Sequence, residues 1–205
     1  MPVMLIPAFG ALSFCVFAPV VSAHPLEGPV EPFLGQPALE MQQVYSDERF
    51  PNVVVTLKGT IIATWGSKHI RARRSEDCGK TWGPEITIAN PGIHSGGTTV
   101  DETTGDILAF VEDVHPPAPL TIYRSKDDGQ TWTGEKPTIH PDSRGNVPSM
   151  HMNEHGITLR HGENKGRLVR PSRYYGAKND RSEWPNHYTN AVFSDDGGLT
   201  WKTSA

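Results

Sequence analysis

The chain has 205 residues and a formal net charge of −4, with 19 Lys and Arg against 23 Asp and Glu. That balance argues against binding nucleic acid through its phosphates. Apolar content is 36%, Gly and Pro number 20 and 18, and long apolar segments with helical periodicity are absent. An all-β chain with many turns is expected, of a length that suits one domain or two.

Val3 to Ala23 is almost wholly apolar and ends Val21-Ser22-Ala23, a small-x-small pattern suited to signal peptidase. Residues 1–23 are therefore read as a cleaved export signal, although the segment before the apolar run carries no Lys or Arg. A retained anchor and a misplaced start are the alternatives. Bulky Phe14 speaks against lipid attachment at Cys15. The expected location is secreted or periplasmic, with no stable membrane association after cleavage. Cleavage leaves Cys78 alone, so no intrachain disulfide is available and packing must supply the stability. Cys78 itself is read as an incidental turn residue. Residues 24–37, rich in Pro and Gly, read as a linker or arm.

Residues 38–205 parse into sets of four short strands, approximately 52–89, 97–139 and 156–205. In the first set, Asn52–Leu57 and Thr60–Trp65 flank a Lys58-Gly59 turn, His69–Arg74 follows, and Trp82–Ala89 closes the set. The second runs Gly97–Val100, Ile107–Glu112, Leu120–Arg124 and Trp132–Ile139. The third runs Gly156–Arg160, Arg167–Ser172, Thr189–Phe193 and Trp201 onward. The basic strand His69–Arg74 is expected to be a solvated face rather than a polyanion site.

Between the third and fourth strands of every set stands the same pattern, S-x-D-x-G-x-T-W: Ser75 to Trp82, Ser125 to Trp132 and Ser194 to Trp201. The Asp is expected to accept a hydrogen bond from its own backbone two residues on. The Gly supplies a positive φ, and Thr-Trp restarts a strand with the indole as a lid. Three copies, about fifty and about seventy residues apart, mark a repeat architecture. Four antiparallel strands per repeat make the blade of a β-propeller; a solenoid of β-turns is the other reading. Three blades do not close a ring and would leave long edges, so the chain is expected to be the N-terminal part of a longer product.

Alternating strand direction puts the repeated turns on one face of the disc and the strand entries and second-to-third-strand loops on the other. That other face collects Arg49 and Asn52, Trp65 to His69, His94 to Gly97, Glu112, Asp113 and His115, Ser149 to His155, and the loop Arg173 to His187. The loop's Tyr174, Tyr175, Arg181 and Trp184 are a candidate wall for a polyhydroxylated ligand. His151 and His155 stand four apart, but on a strand entry they would not converge on a metal. No metal and no cofactor are expected.

The repeated turns resemble the Asp boxes, or BNR repeats, of the sialidase (neuraminidase) superfamily, and the resemblance runs from about Met41 to the end of the chain. Glu48-Arg49-Phe50-Pro51 resembles the superfamily's Arg-Ile-Pro motif, with Phe in place of Ile. Gly156-Ile157 followed by Gly166-Arg167-Leu168-Val169-Arg170-Pro171 resembles its third-blade entry. The resemblance implies a β-propeller of which about three of six blades are present, and an exo-sialidase-like glycoside hydrolase acting on a terminal acidic sugar. It implies that Arg49 belongs to an arginine triad gripping the sugar carboxylate, a task suited to a planar guanidinium. It also implies a Tyr nucleophile activated by a Glu, and an Asp acid/base in the first-blade loop.

Two departures bear on this. The Tyr, its Glu and the other two Arg belong to later blades, so no catalytic residue is assigned and the site is expected to be incomplete in this chain. The loop Trp65-Gly66-Ser67-Lys68-His69 has no carboxylate, leaving Asp47, Glu112, Asp113 or Glu154 to stand in. Arg49, with Glu112, Asp113, Glu154, His155 and Tyr174, is the expected substrate-binding set, and the expected partner is a sialylated or acidic glycan. The alternatives are a non-catalytic propeller binding glycans or proteins, and a propeller enzyme with different polysaccharide chemistry.

Overall fold

The computed structural model describes residues 41–46, 49–116, 118–151, 154–175 and 181–204. The expected export signal and arm, and Asp47 and Glu48, lie outside them. The compact unit runs from Gln42 to the C-terminus.

The described residues form three antiparallel sheets. The first has the order β1 (Asn52–Val55), β2 (Ile61–Trp65), β3 (Ile70–Ser75), β4 (Ile86–Ala89). Gly59 closes the β1–β2 hairpin at a φ of 86°, where a Cβ would strain. In the second sheet the first-strand position is split between β5 (Ile93–His94) and β6 (Thr99–Val100). Both pair with β7 (Ile107–Glu112), which is followed by β8 (Leu120–Ser125) and β9 (Thr133–Glu135).

The third sheet contains β11 (Ile157–Thr158), β12 (Leu168–Tyr174), β13 (Tyr188–Ser194) and β14 (Thr200–Thr203). Its outer edge is β10 (Thr138–Ile139), which pairs in parallel with β14. The expected fourth strand of the second set, Trp132–Ile139, is thus divided between two sheets. Pro137 marks the break: it has no N–H for a ladder, and beyond it the chain crosses to the neighbouring sheet. A six-residue 3-10 helix, η1 (Arg181–Asn186), lies in the long loop where no regular structure was expected.

All six residues of β7 are buried, and its period-two alternation serves two cores. Ile107, Ala109 and Val111 pack with Val54, Ile62, Ile70 and Ala72 of the first sheet. Leu108 and Phe110 pack with Met150, Leu168, Val192 and Trp201 of the third. Alternation assigns Glu112, at the end of β7, to the side of the third sheet.

Each repeated turn is built the same way. The Ser hydroxyl donates to the Asp carboxylate at 2.7–2.8 Å and accepts the Gly N–H at 2.8 Å. The Asp accepts the Thr N–H four residues on, at 2.8–2.9 Å, rather than a donor two residues on as expected. Two consecutive residues are left-handed, Cys78-Gly79, Asp128-Gly129 and Gly197-Gly198, so the position before the recurring Gly is constrained as well. The indoles of Trp132 and Trp201 donate back to Gly129 O and Gly198 O, whereas that of Trp82 donates to Gln42.

The turns also join the sheets. Arg74, the residue before the first box, donates to the carbonyl (2.8 Å) and carboxylate (3.1 Å) of Asp128 in the second box. Arg124, before the second box, donates to Gly197 O of the third at 2.9 Å. The expectation that His69–Arg74 is a solvated face is corrected here. Arg71 is buried beside Glu85, and Arg74 is committed to the next sheet.

Candidate functional site

The register of β7 with β8 puts Ser125, where the second box begins, opposite Ile107, and puts Glu112 opposite Leu120. Box and carboxylate therefore occupy opposite ends of the sheet. Around the Glu112 end, backbone hydrogen bonds tie the three strand entries together. Gly66 N donates to Arg49 O (2.8 Å), His94 N to Gly66 O (3.1 Å), and Gly97 N to Glu154 O (2.6 Å). Ser149 and Arg173 exchange two backbone bonds at 2.7 and 2.9 Å. Gly97 is needed at its contact: a Cβ there would lie 2.3 Å from His155 N, against backbone that has no room to give.

Two polar groups sit deep between the second and third sheets. Glu112 accepts hydroxyl hydrogen bonds from Ser95 (2.5 Å) and Ser149 (2.8 Å). Ser95 reaches it because the first strand of the second sheet is interrupted between His94 and Thr99. Burial pushes the Glu112 carboxyl up to about 7, against the opposing pull of these hydrogen bonds and of Arg170. Arg170, on the inward face of β12, lies 3.6 Å over the Phe110 ring and donates to Ser95 O and Met150 O at 3.3 Å. Its Nε and Nη1 have no hydrogen-bond partner among the described residues. Burial lowers its pKa while Glu112 and Glu154 hold it up.

Nearby, His94 bonds Thr64 Oγ1 at 3.1 Å, and Thr64 bonds Thr98 at 2.9 Å. Burial, then Arg170 and His151, drive the His94 pKa down to about 3, so it is a neutral structural imidazole at pH 7.

The outer part of the site is organised around His151. Its ring meets Phe50 edge-on at 5.4 Å and lies 5.1 Å from the His115 ring; its Nδ1 faces Glu112 Oε2 at 4.0 Å. Burial, followed by the charges of His115, Arg173 and Arg49, holds its pKa down at about 4. Phe50 has a φ of 62°, a conformation that costs a bulky residue about 1–2 kcal/mol, and the Arg49 guanidinium folds over its ring at 4.8 Å. Arg49 is exposed, and Arg173 keeps an unpartnered buried Nε among the described residues. Arg49, just before β1, and Arg173, on β12, both place positive charge where it opposes protonation of His151.

Of the expected binding set, Arg49 lies over Phe50, which packs edge-on against His151, and Glu112 faces the Nδ1 of that same imidazole at 4.0 Å. Asp113 is exposed in the following loop, its N–H bonded to Pro119 O. Glu154 is exposed and acts electrostatically on Arg170. His155 is exposed and lines a shallow groove with Val53, Val55 and Ile157, away from the Glu112 hydroxyl contacts. Tyr174 is fully buried; its hydroxyl bonds Thr203 at 2.6 Å and its ring stacks on Tyr188 at 4.8 Å, so it does not form a ligand wall. Tyr175 is buried too, and the side chains of Arg181 and Trp184 lie outside the described residues.

Arg170 was not singled out as functional in the sequence, Ser95 only as one of the residues His94 to Gly97 on that face, and Arg173 only as the start of a loop. The available signal was an Arg at an inward position of an otherwise apolar alternation, Leu168-x-Arg170. No group of three or more His, Cys, Asp or Glu suited to a metal ion occurs among the described residues.

No family model matches the chain. A curated sialidase from Micromonospora viridifaciens is 26% identical over 241 residues, covering 97% of this chain and 36% of that protein. The chain thus spans about a third of the length of the curated relative. Among solved structures, a Hadza microbial sialidase aligns with a TM-score of 0.56 and 23% identity, over 76% of this chain and 36% of its own. An N-acetylgalactosamine deacetylase from F. plautii, solved with blood group B trisaccharide, aligns with a TM-score of 0.50 and 17% identity, over 75% and 50%. The chain is an all-β protein of repeated antiparallel sheets, a fold it shares with the solved microbial sialidase.

Proposed function

We propose that this chain supplies part of the binding site of a secreted or periplasmic exo-sialidase-like glycoside hydrolase, which releases terminal sialic acid or a related acidic sugar from glycoconjugates. One observation carries the reading: Arg49, in its Arg-Phe-Pro setting, lies over Phe50, whose ring packs on His151, while Arg173 pairs through its backbone with Ser149, two residues from His151, at the end of the sheets away from the boxes. A carboxylate is the ligand group that two guanidiniums recognise best. The similarity to the Micromonospora sialidase supports a glycan as the partner. The nucleophilic Tyr, its Glu and the remaining arginines of the superfamily pattern have no counterpart assigned among these residues, so hydrolysis is proposed for the whole protein.

A second reading is favoured by the short loop Trp65–His69, which carries no carboxylate. It is a propeller that binds acidic glycans without cleaving them, or that acts on polysaccharide by other chemistry.

Binding of N-acetylneuraminic acid, followed by calorimetry, tests the shared part of both readings. Arg49→Ala is expected to weaken it about 10- to 100-fold, the loss of one charge-assisted contact. Equal affinity in wild type and variant would remove Arg49 from the site. Turnover of a fluorogenic α-sialoside by the whole protein, lost in Arg49→Ala, separates hydrolysis from binding alone.

A further inference from the structure

The acid/base position of the site is vacant in the loop where the superfamily pattern would put it, yet the fold brings a carboxylate and an imidazole together one sheet away. We infer that His151 is the proton-carrying residue of this site, that buried Glu112 positions it, and that an acidic sugar seated between Arg49 and Arg173 loads it with a proton. The inference rests on the acidic-sugar reading for its last part only.

The geometry is that of a base with an orienting group behind it. Glu112 is held from both sides: one oxygen takes the Ser95 hydroxyl and the other the Ser149 hydroxyl, and its Oε2 faces His151 Nδ1 at 4.0 Å. Nδ1 is buried without a hydrogen-bond partner among the described residues, while the side chain as a whole keeps 12% of its surface. The accessible edge of the ring is therefore elsewhere than at Nδ1. Glu112 holds a proton below about pH 7; once ionised, its carboxylate behind Nδ1 favours the tautomer with its proton there and leaves Nε2 to gain and lose the second one. The ring is fixed between Phe50 and His115, so it presents that edge in one orientation.

The charges around His151 come from every packed element. Arg49 stands at the entry to β1, His115 and Glu112 on the β7–β8 connection and strand end, and Arg173 on β12. Three of the four oppose an imidazolium. An anion bound by Arg49 and Arg173 cancels that opposition, and Glu112 in its ionised form then stabilises the cation that forms. Above about pH 7, where Glu112 is ionised, Nε2 takes one proton from bulk water on binding and returns it on release; below it the pair already holds a proton on Glu112, which passes to His151 without net uptake. Ligand binding and proton uptake are then reciprocal, as linkage requires.

The test is NMR titration of the His151 ring, assigned by its loss in His151→Gln, in wild type, Glu112→Gln and Arg49→Ala. The wild-type ring is expected to titrate well below an ordinary histidine. Arg49→Ala is expected to raise its pKa by about one pH unit, whereas Glu112→Gln is expected to leave the ligand-free value little changed, because Glu112 is itself protonated where the free ring titrates. Saturating N-acetylneuraminic acid should raise it in wild type but much less in Glu112→Gln. At about pH 8, where Glu112 is ionised, ring nitrogen shifts should show the Nδ1–H tautomer in wild type and lose that preference in Glu112→Gln; the same tautomer balance in both overturns the pairing, whatever the ligand does. Sugar binding that leaves the His151 titration unmoved overturns the coupling. Absence of sugar binding overturns the acidic-sugar reading and the coupling with it, while the tautomer comparison still judges the pairing.

Discussion

At the scale of single residues, the repeated turn shows how a short pattern sets both backbone and charge. The Thr81 hydroxyl and N–H, then Ser75, hold the Asp77 carboxyl down at about 2, so the first box keeps its anion through the whole physiological range. In the second box burial works against Asp127, and the bonds from Thr131, Ser125 and Gln130 together outweigh it. The position between Asp and Gly is left-handed in all three boxes and is filled by Cys78, Asp128 and Gly197. Asp tolerates that region and Gly is free in it, but Cys78 pays a Cβ penalty. Cys78→Gly is therefore expected to stabilise the fold by about 0.5–1 kcal/mol, after allowing for the added freedom of the unfolded chain. The check is a rise in the denaturant midpoint at constant m-value. An unchanged or lower midpoint would mean that the strain is relieved by local relaxation.

At the scale of elements, the sheets are linked by arginines whose partners come from the next repeat. Arg124 is buried and serves Asp106 and Glu135, each at 3.0 Å, as well as Gly197 O. Its removal strands two carboxylates and a carbonyl at a sheet-to-sheet contact, and Arg124→Ala is expected to cost about 3 kcal/mol. Arg160 makes a shorter bidentate pair with Glu102 but stands in solvent, so Arg160→Ala is expected to cost under about 1 kcal/mol. Urea denaturation of the two variants side by side decides the point, since equal losses would contradict the assignment of Arg124 as a link between sheets. The third sheet lacks this device. Phe193 occupies the position before its box, and Arg167 stacks on that ring at 4.1 Å while pairing with Asp195 of the same sheet.

At the scale of the whole molecule, three buried groups give stability a pH dependence whose sign follows from their shifts. Glu112 titrates near 7, above its unfolded value of about 4.5, so the native state holds a proton that the unfolded chain has released between those limits. That contribution makes stability fall as pH rises through the window. His94 and His151, held down at about 3 and about 4, act oppositely: below about 6.5 the unfolded chain takes up protons that the native state refuses, so stability rises with pH. Between pH 5 and 6 the unfolded chain thus binds about one proton more, a slope of about +1.4 kcal/mol per pH unit. Glu112→Gln removes the opposing group and is expected to bring the slope near +2.7 kcal/mol per pH unit. Unfolding free energies at pH 5, 5.5 and 6 would show it, and an unaltered slope would mean that Glu112 is already ionised in this range.

The repeat, the strand order and the end of each sheet that carries the boxes were all legible in the linear chain, because turn chemistry and period-two alternation are local properties. The Arg-Phe-Pro motif at Arg49 was visible for the same reason, as a short pattern before the strand Asn52–Val55. What the linear chain did not disclose was the interior of the site. Nothing local separates Tyr174, buried against Tyr188, from a tyrosine on a loop surface, or marks Arg170 as lying over Phe110. The exit of the second sheet to the edge of the third was hidden likewise, with Pro137 as its only trace. The pairing of Glu112 with His151 depends on how two sheets dock and on an interrupted strand that aims Ser95. Burial and facing charges then set the proton affinities, and those are long-range quantities that exist only once the three sheets are packed together.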